Sequence, residues 1–99
     1  KKEVTPELII QTVAEHYGIT MSDIAGNKRN NEIVVPRQIA MYLCRKMTDA
    51  SLKNIGALLG KRDHTTIING HNKIEAELKA NNSSLKNNID IIMKKINPM

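Results

Sequence analysis

The sequence predicts an all-α fold, about six helices around one core with a helix-turn-helix among them. Three observations carry this. Apolar residues recur at helical spacing through most of the chain, and the only alternating pattern is a weak "EIVV" at 32–35. Cap residues and helix stoppers interrupt these stretches at regular intervals. At 99 residues and 40% hydrophobic composition, residues 1–99 fit one small domain.

Thr5, Pro6 and Glu7 read as N-cap, first helical residue and first-turn acid, and Leu8, Ile9, Val13 and Tyr17 share a face until Gly18. A helix is expected over roughly 6–17. Thr20 precedes "MSDIAG", which has room for one or two turns ended by Gly26. "NKRNNEIVV" follows without a sustained period and reads as an exposed basic loop. Pro36 then suits the first turn of a helix whose inward stripe is Ile39, Ala40, Leu43, Cys44 and Met47; Arg37, Gln38 and Arg45 fall off that stripe and are expected to face outward.

Ser51 is an N-cap for "LKNIGALL", stopped by Gly60. Asp63 is the next cap, its carboxylate placed to accept from the backbone N–H of Thr65 or Thr66. From there Ile67, Ile68, His71, Ile74 and Leu78 carry an inward stripe to about residue 80, with Gly70 allowing a close helix contact. Asn81 and Asn82 break the chain, Ser83 or Ser84 caps again, and Leu85, Ile89, Ile92, Met93 and Ile96 form the apolar face of a last helix ending near Asn97.

Lys+Arg 15 against Asp+Glu 10 gives a net charge of +5, which favours polyanionic partners, whether nucleic acid or an acidic membrane surface. The charge is uneven: −2 over residues 1–25, +4 over 26–46, +2 over 47–74 and +1 over 75–99. A lone cysteine, Cys44, excludes an internal disulfide framework, and its place on an apolar stripe makes it a core residue. No apolar run approaches the roughly 20 residues of a membrane span, and "KKEVTPELII" lacks a signal-peptide core, so a cytoplasmic location is expected. With no Trp, no Phe and only Tyr17 and Tyr42, base stacking on an aromatic platform has little support.

The short helix, the Gly60-Lys61-Arg62 connection and the longer helix from Asp63 make a helix-turn-helix over 52–80, in which the second helix enters the DNA major groove and reads bases with its first turn. Threonines are poor helix formers, so "RDHTT" at a helix start calls for a reason beyond folding. Asp63 can accept from cytosine N4, Thr65 can pack its methyl on thymine, and His64 can donate to a base or pack against it. Lys28 and Arg29 can enter an adjacent minor groove, while Arg37, Gln38, Arg45, Lys53, Lys61 and Arg62 are placed for phosphates.

Other chemistries fare worse. His64 and His71 lie seven residues apart on one helix, about 10 Å, too far to share a metal ion, so no metal is expected. Asp63 and His64 are neighbours that cannot face each other, and no nucleophile accompanies them, so no enzymatic activity is expected of these residues. His16 has no evident company, and Lys94 and Lys95 read as a solvated helix face. The competing reading is a basic helical module that meets acidic lipid, protein or nucleic acid through charge alone.

"VPRQIAMYLCRKMTDASLKNIGALLGKRDHTTIINGHNKI" resembles the C-terminal DNA-binding domain of the DnaA family of bacterial chromosomal replication initiators, whose signature runs through "GKRDHTTI". The resemblance implies a Trp-repressor-like helix-turn-helix that binds double-stranded DNA at the asymmetric DnaA box, of the TTATCCACA type, as a monomer. By resemblance Arg29 is the minor-groove arginine, Asp63, His64 and Thr65 are base readers, and Arg37, Gln38, Arg45 and Thr66 serve the phosphates; Lys28, Lys53, Lys61, Arg62 and Asn69 complete the expected phosphate set. Lys53, Lys61 and Asn69 depart from the commoner proline, glycine and histidine. The family also implies a preceding AAA+ domain that binds ATP and Mg, oligomerises on the origin and meets acidic phospholipids. Residues 1–5 would then be the remnant of the connection, and these 99 residues contain no G-x-x-x-x-G-K-[ST] phosphate loop and are expected to need no cofactor.

Overall fold

The structure, a computed structural model, describes residues 3–98. Its elements are α1 (Pro6–Tyr17), α2 (Met21–Ile24), α3 (Asn31–Met47), α4 (Leu52–Leu58), α5 (His64–Lys79) and α6 (Ser83–Ile96), with no strand among the described residues. None of these helices is long and apolar enough to cross a membrane. Lys1 and Lys2 of the expected linker remnant lie outside the described residues; Val4 packs, half-buried, against the core.

Local chemistry accounts for most boundaries. The Thr5 hydroxyl accepts from the Leu8 N–H at 3.1 Å with Pro6 in the first turn, and Gly18 closes α1 in the left-handed region at φ 67°. In α2 the Thr20 hydroxyl accepts from the Asp23 N–H while the Asp23 carboxylate accepts from the Thr20 N–H, a reciprocal capping box.

Two expectations are corrected. The helix foreseen from Pro36 begins five residues earlier, at Asn31, which confines the basic loop to residues 27–30. Pro36 sits in the second turn and removes one N–H from the ladder, but Ile33 and Pro36 are buried on a common face; tertiary burial outweighs the poor helix preference of "EIVVP". The cap of α6 is Asn82, whose side-chain oxygen accepts from the Leu85 N–H at 3.1 Å, so Ser83 and Ser84 lie inside the helix. Asn81, left-handed at φ 63°, turns the chain one residue earlier and brings Asn82 to the capping position.

α3 is the central helix. It packs against α1, α2, α4 and α5, and every residue from Ile39 to Cys44 is buried, which widens the expected stripe to include Met41 and Tyr42. Gly70 meets α3 where expected: a Cβ there would overlap the Met41 sulfur. Burial pushes the Cys44 thiol up to about 12, as befits a core side chain. α6 closes the far side over α1 and α5. There His16 proves to have partners, pairing with the Asn88 side-chain oxygen at 2.8 Å and the Lys95 ammonium at 3.1 Å.

His71 stacks on Tyr42 with ring centroids 5.1 Å apart, and its Nδ1 is buried without a hydrogen-bond partner. Burial holds its pKa below the ordinary 6.5, with Arg45 and Lys46 acting the same way and Glu75 opposing. Folding therefore disfavours the imidazolium. This contribution to stability is fully present above the unfolded value, near 6.5, and is lost as pH falls through the lowered folded value. We predict that His71→Phe, which keeps the stacking and removes the orphaned nitrogen, reduces the drop in thermal midpoint between about pH 7.5 and about pH 5.5. An unchanged drop would mean that His71 is not the group responsible.

Candidate nucleic-acid interface

The connection between α4 and α5 is built by close approach. Ser51 caps α4 by accepting from the Asn54 N–H at 3.0 Å, and Ile55 and Leu59 are fully buried. Gly60 and Lys61 then turn the chain with φ 82° and φ 62°, and the Arg62 N–H donates back to the Gly56 carbonyl at 3.0 Å. Both glycines are sterically required: a Cβ on Gly56 would overlap the Arg62 carbonyl, and one on Gly60 the Ala25 carbonyl.

Asp63 opens α5 as foreseen. Its Oδ1 accepts from the Thr66 N–H at 2.9 Å, and that bond holds the carboxyl below its usual range. His64, Thr65 and Thr66 are exposed in the first turn, while Ile67, Gly70 and Ile74 bury the opposite face. The turn is flanked by two open depressions. Lys53, Ala57, Lys61, Arg62, Asp63, His64 and Thr65 line one, between α4 and the start of α5. Val34, Arg37, Gln38, Met41, Arg62, Thr66, Asn69, Gly70 and Lys73 line the other, between α3 and α5.

The predicted residues thus divide. His64, Thr65, Thr66, Asn69, Lys53 and Lys61 come together as an exposed polar and cationic face, with half-buried Gln38 at its edge. Arg45 is exposed two turns beyond Gln38 on α3, beside His71. Arg29 is exposed on the 27–30 loop. Lys28, also exposed, pairs with Asp23 at 3.0 Å, and its hydrogen bond is the main cause that lowers the Asp23 pKa. Lys73 is exposed on the same face and lies outside the predicted set, although it continues the i, i+3, i+7 row Thr66, Asn69, Lys73 that marks one side of α5.

Arg37 and Arg62, expected to face outward toward phosphates, instead turn guanidinium donors to backbone carbonyls. Arg37 is only 5% exposed; its Nε donates to the Ile24 carbonyl at 2.7 Å, Nη1 to Lys28 at 3.0 Å, and Nη2 to Asp23 and Gly26 at 3.2 Å each. Arg62 is half-buried and donates to the carbonyls of Leu59, Ala25 and Gly26. The cause is plain: α2 is one turn long, so its last carbonyls have no intrahelical partner, and two guanidinium forks supply the missing donors. Burial lowers both arginine pKa values, and for Arg37 the charge of Arg62 adds to the effect. Among the described residues no three His, Cys, Asp or Glu side chains gather where they could hold a metal ion.

The model of the bacterial dnaA protein helix-turn-helix matches residues 6–74. The chain is 50% identical over 98 residues to a chromosomal replication initiator protein DnaA of Lachnoclostridium phytofermentans, covering 99% of this chain and 21% of that protein. It is 44% identical to the protein of that name from Treponema pallidum, covering 96% of this chain and 20% of the relative. A crystal structure of a DNA replication initiation factor superposes with a TM-score of 0.77 at 34% identity, over 92% of this chain and 28% of that one. The chain thus spans about a fifth of the length of these curated relatives.

The two left-handed residues of the turn predict opposite outcomes. Gly60→Ala should destabilise the fold by about 2 kcal/mol or more, through strain and overlap with Ala25. Lys61→Gly relieves the Cβ penalty and should stabilise by about 0.5–1 kcal/mol. Urea unfolding of both variants checks this; a loss of stability in Lys61→Gly would show that the Lys61 side chain holds the turn.

Proposed function

This chain belongs to the bacterial DnaA family, and from that membership we propose that it recognises double-stranded DNA by sequence, as the origin-reading module of a replication initiator. The observation that carries the reading is the first turn of α5: an aspartate cap, then three exposed polar side chains between two cation-lined depressions, an arrangement that contributes little to the core. In this reading α5 enters the major groove and Asp63, His64 and Thr65 meet base edges. The Asp63 carboxylate, tied by Oδ1 to the helix start, is pre-positioned to accept from a cytosine amine and to repel a misplaced acceptor. The helix dipole and unpaired N–H groups of the first turn favour the phosphate beside them.

Arg29, at the tip of the short loop, reaches the adjacent minor groove, where an A·T-rich segment concentrates negative potential. Lys28, Gln38, Arg45, Lys53, Lys61, Thr66 and Asn69 serve phosphates, and Lys73 joins them because it lines the α3–α5 depression. Arg37 and Arg62 leave that set because most of their donors hold backbone carbonyls. The site is the asymmetric DnaA box, of the TTATCCACA type, read by a monomer, since such a site has no two-fold axis to match a dimer.

The rest of the initiator's work belongs to sequence outside these 99 residues. Residues 1–5 are read as the end of a connection from an AAA+ domain that binds ATP and Mg, oligomerises on the origin and opens the duplex, with acidic phospholipids as a further partner of the whole protein. This chain carries no phosphate-loop motif, and its role is attachment at the correct sequence.

Two measurements test the reading. Thr65→Ala should lose about 1–3 kcal/mol of preference for a box duplex over its scramble, whereas Arg45→Ala should weaken both duplexes alike and lower the salt slope by about one. Equal losses on box and scramble for Thr65→Ala would remove Thr65 from base readout, and a wild-type domain without any box preference would leave only charge-driven attachment. Lys28 supplies a second check. Asp23→Asn releases it from its ion pair and should tighten both duplexes and steepen the salt dependence by about one; an unaltered slope would place Lys28 away from the phosphates.

A further inference from the structure

The Gly26 carbonyl accepts from both Arg37 and Arg62. This one oxygen joins three segments distant in sequence: the end of α2, the second turn of α3 and the residue just before Asp63. Around it Arg37 also holds the Lys28 carbonyl, immediately before Arg29, and Arg62 also holds Ala25 and Leu59. Gly60 lies against the Ala25 carbonyl so closely that no side chain fits between them. The Arg29 loop and the first turn of α5 are thereby anchored to the same carbonyls, one through the backbone next to Arg29, the other through the residue before the helix cap.

We infer that Arg37 and Arg62 are positioning residues, a paired clamp that fixes the spacing between the Arg29 loop and the α5 first turn and so makes recognition depend on the register between the A·T-rich end of the site and the rest. The inference rests on the reading of Arg29 and α5 as base readers. A lysine in place of either arginine keeps the charge but cannot match a planar fork, whose several N–H donors reach separated carbonyls at once. Arg62→Lys therefore loosens the spacing without removing a cation. Loosening costs the loop its predetermined place and should cost DNA recognition the contribution of Arg29.

The test is a double-mutant cycle of Arg29→Ala and Arg62→Lys on three duplexes: the box, its scramble, and a box with one base pair inserted after its A·T-rich end, which displaces that end by about 3.4 Å. In the wild-type chain, Arg29→Ala and the insertion should each lower box affinity about fivefold or more. In Arg62→Lys, box affinity should already have fallen by a similar factor, and Arg29→Ala or the insertion should each cost less than about twofold more. The salt slope should stay at its wild-type value. Full additivity of Arg62→Lys with Arg29→Ala, or a salt slope lowered by about one as for a lost phosphate contact, overturns the clamp. If Arg29→Ala alone leaves box preference intact, the underlying assignment of Arg29 fails, and the inference falls with it for a distinguishable reason.

Should Arg62→Lys not fold, Arg37→Lys enters the same cycle. The wild-type chain offers an independent reading by NMR: the Arg37 Nε–H, held by the Ile24 carbonyl, should exchange slowly with solvent both free and bound to the box duplex. Rapid exchange in the complex would mean that the arginine leaves its carbonyls for DNA, which overturns the proposal.

Discussion

The shared carbonyl of Gly26, gripped by two arginines, is the constraint on which the arrangement of this molecule depends. A one-turn helix such as α2 is poor in internal bonds, and its unsatisfied carbonyls would be costly if left dry. Guanidinium groups suit them because each offers several donors in a plane and tolerates partial burial better than an ammonium. Burial, and after it the charge of Arg62, lowers the Arg37 pKa, and the carbonyl oxygens around the pair offset these costs. The outcome is a joint that ties a loop, a central helix and a helix-turn-helix connection together through hydrogen bonds remote in sequence.

From that joint the division of labour follows. Stability resides in α3, buried along Ile39 to Cys44, and in the faces of α1, α5 and α6 that pack around the same core. α5 is split lengthwise: Ile67, Gly70 and Ile74 belong to the core, while Thr65, Thr66, Asn69 and Lys73 present polar groups outward. Because Asp63 satisfies the helix start, the poor helix formers of the first turn can be tolerated on an exposed surface. The outward residues are therefore available for recognition at small cost to the fold.

Electrostatics grade this surface. Lys53, Lys61 and Lys73 line the depressions beside α5, whereas Lys28 is partly neutralised by Asp23. The positive excess of residues 26–74 thus reaches the surface in two forms, exposed cations unpaired among the described residues and one exposed cation paired with an acid. Arg37 is buried and half-buried Arg62 turns donors to backbone carbonyls, so a count of basic residues overstates the cations offered to a polyanion.

Most of the fold was legible in the sequence because its signals are local. Thr5, Thr20, Ser51 and Asp63 each accept from the N–H of the third residue of the helix they start, and Gly18 and Gly60 mark turns where a left-handed residue is needed. The exposed first turn of α5, His64, Thr65 and Thr66, was legible too, since a cap and a helical period fix which way it faces. The row Thr66, Asn69, Lys73 is likewise present in the spacing. What only the tertiary structure decided are the features whose partners are remote. The helix through "EIVVP" forms because Ile33 and Pro36 find a core, His16 gains partners from α6, and Arg37 and Arg62 turn inward to carbonyls that no periodicity assigns them. A sequence pattern specifies which residues share a face; the fate of an arginine depends on which acceptors the folded chain brings within its reach.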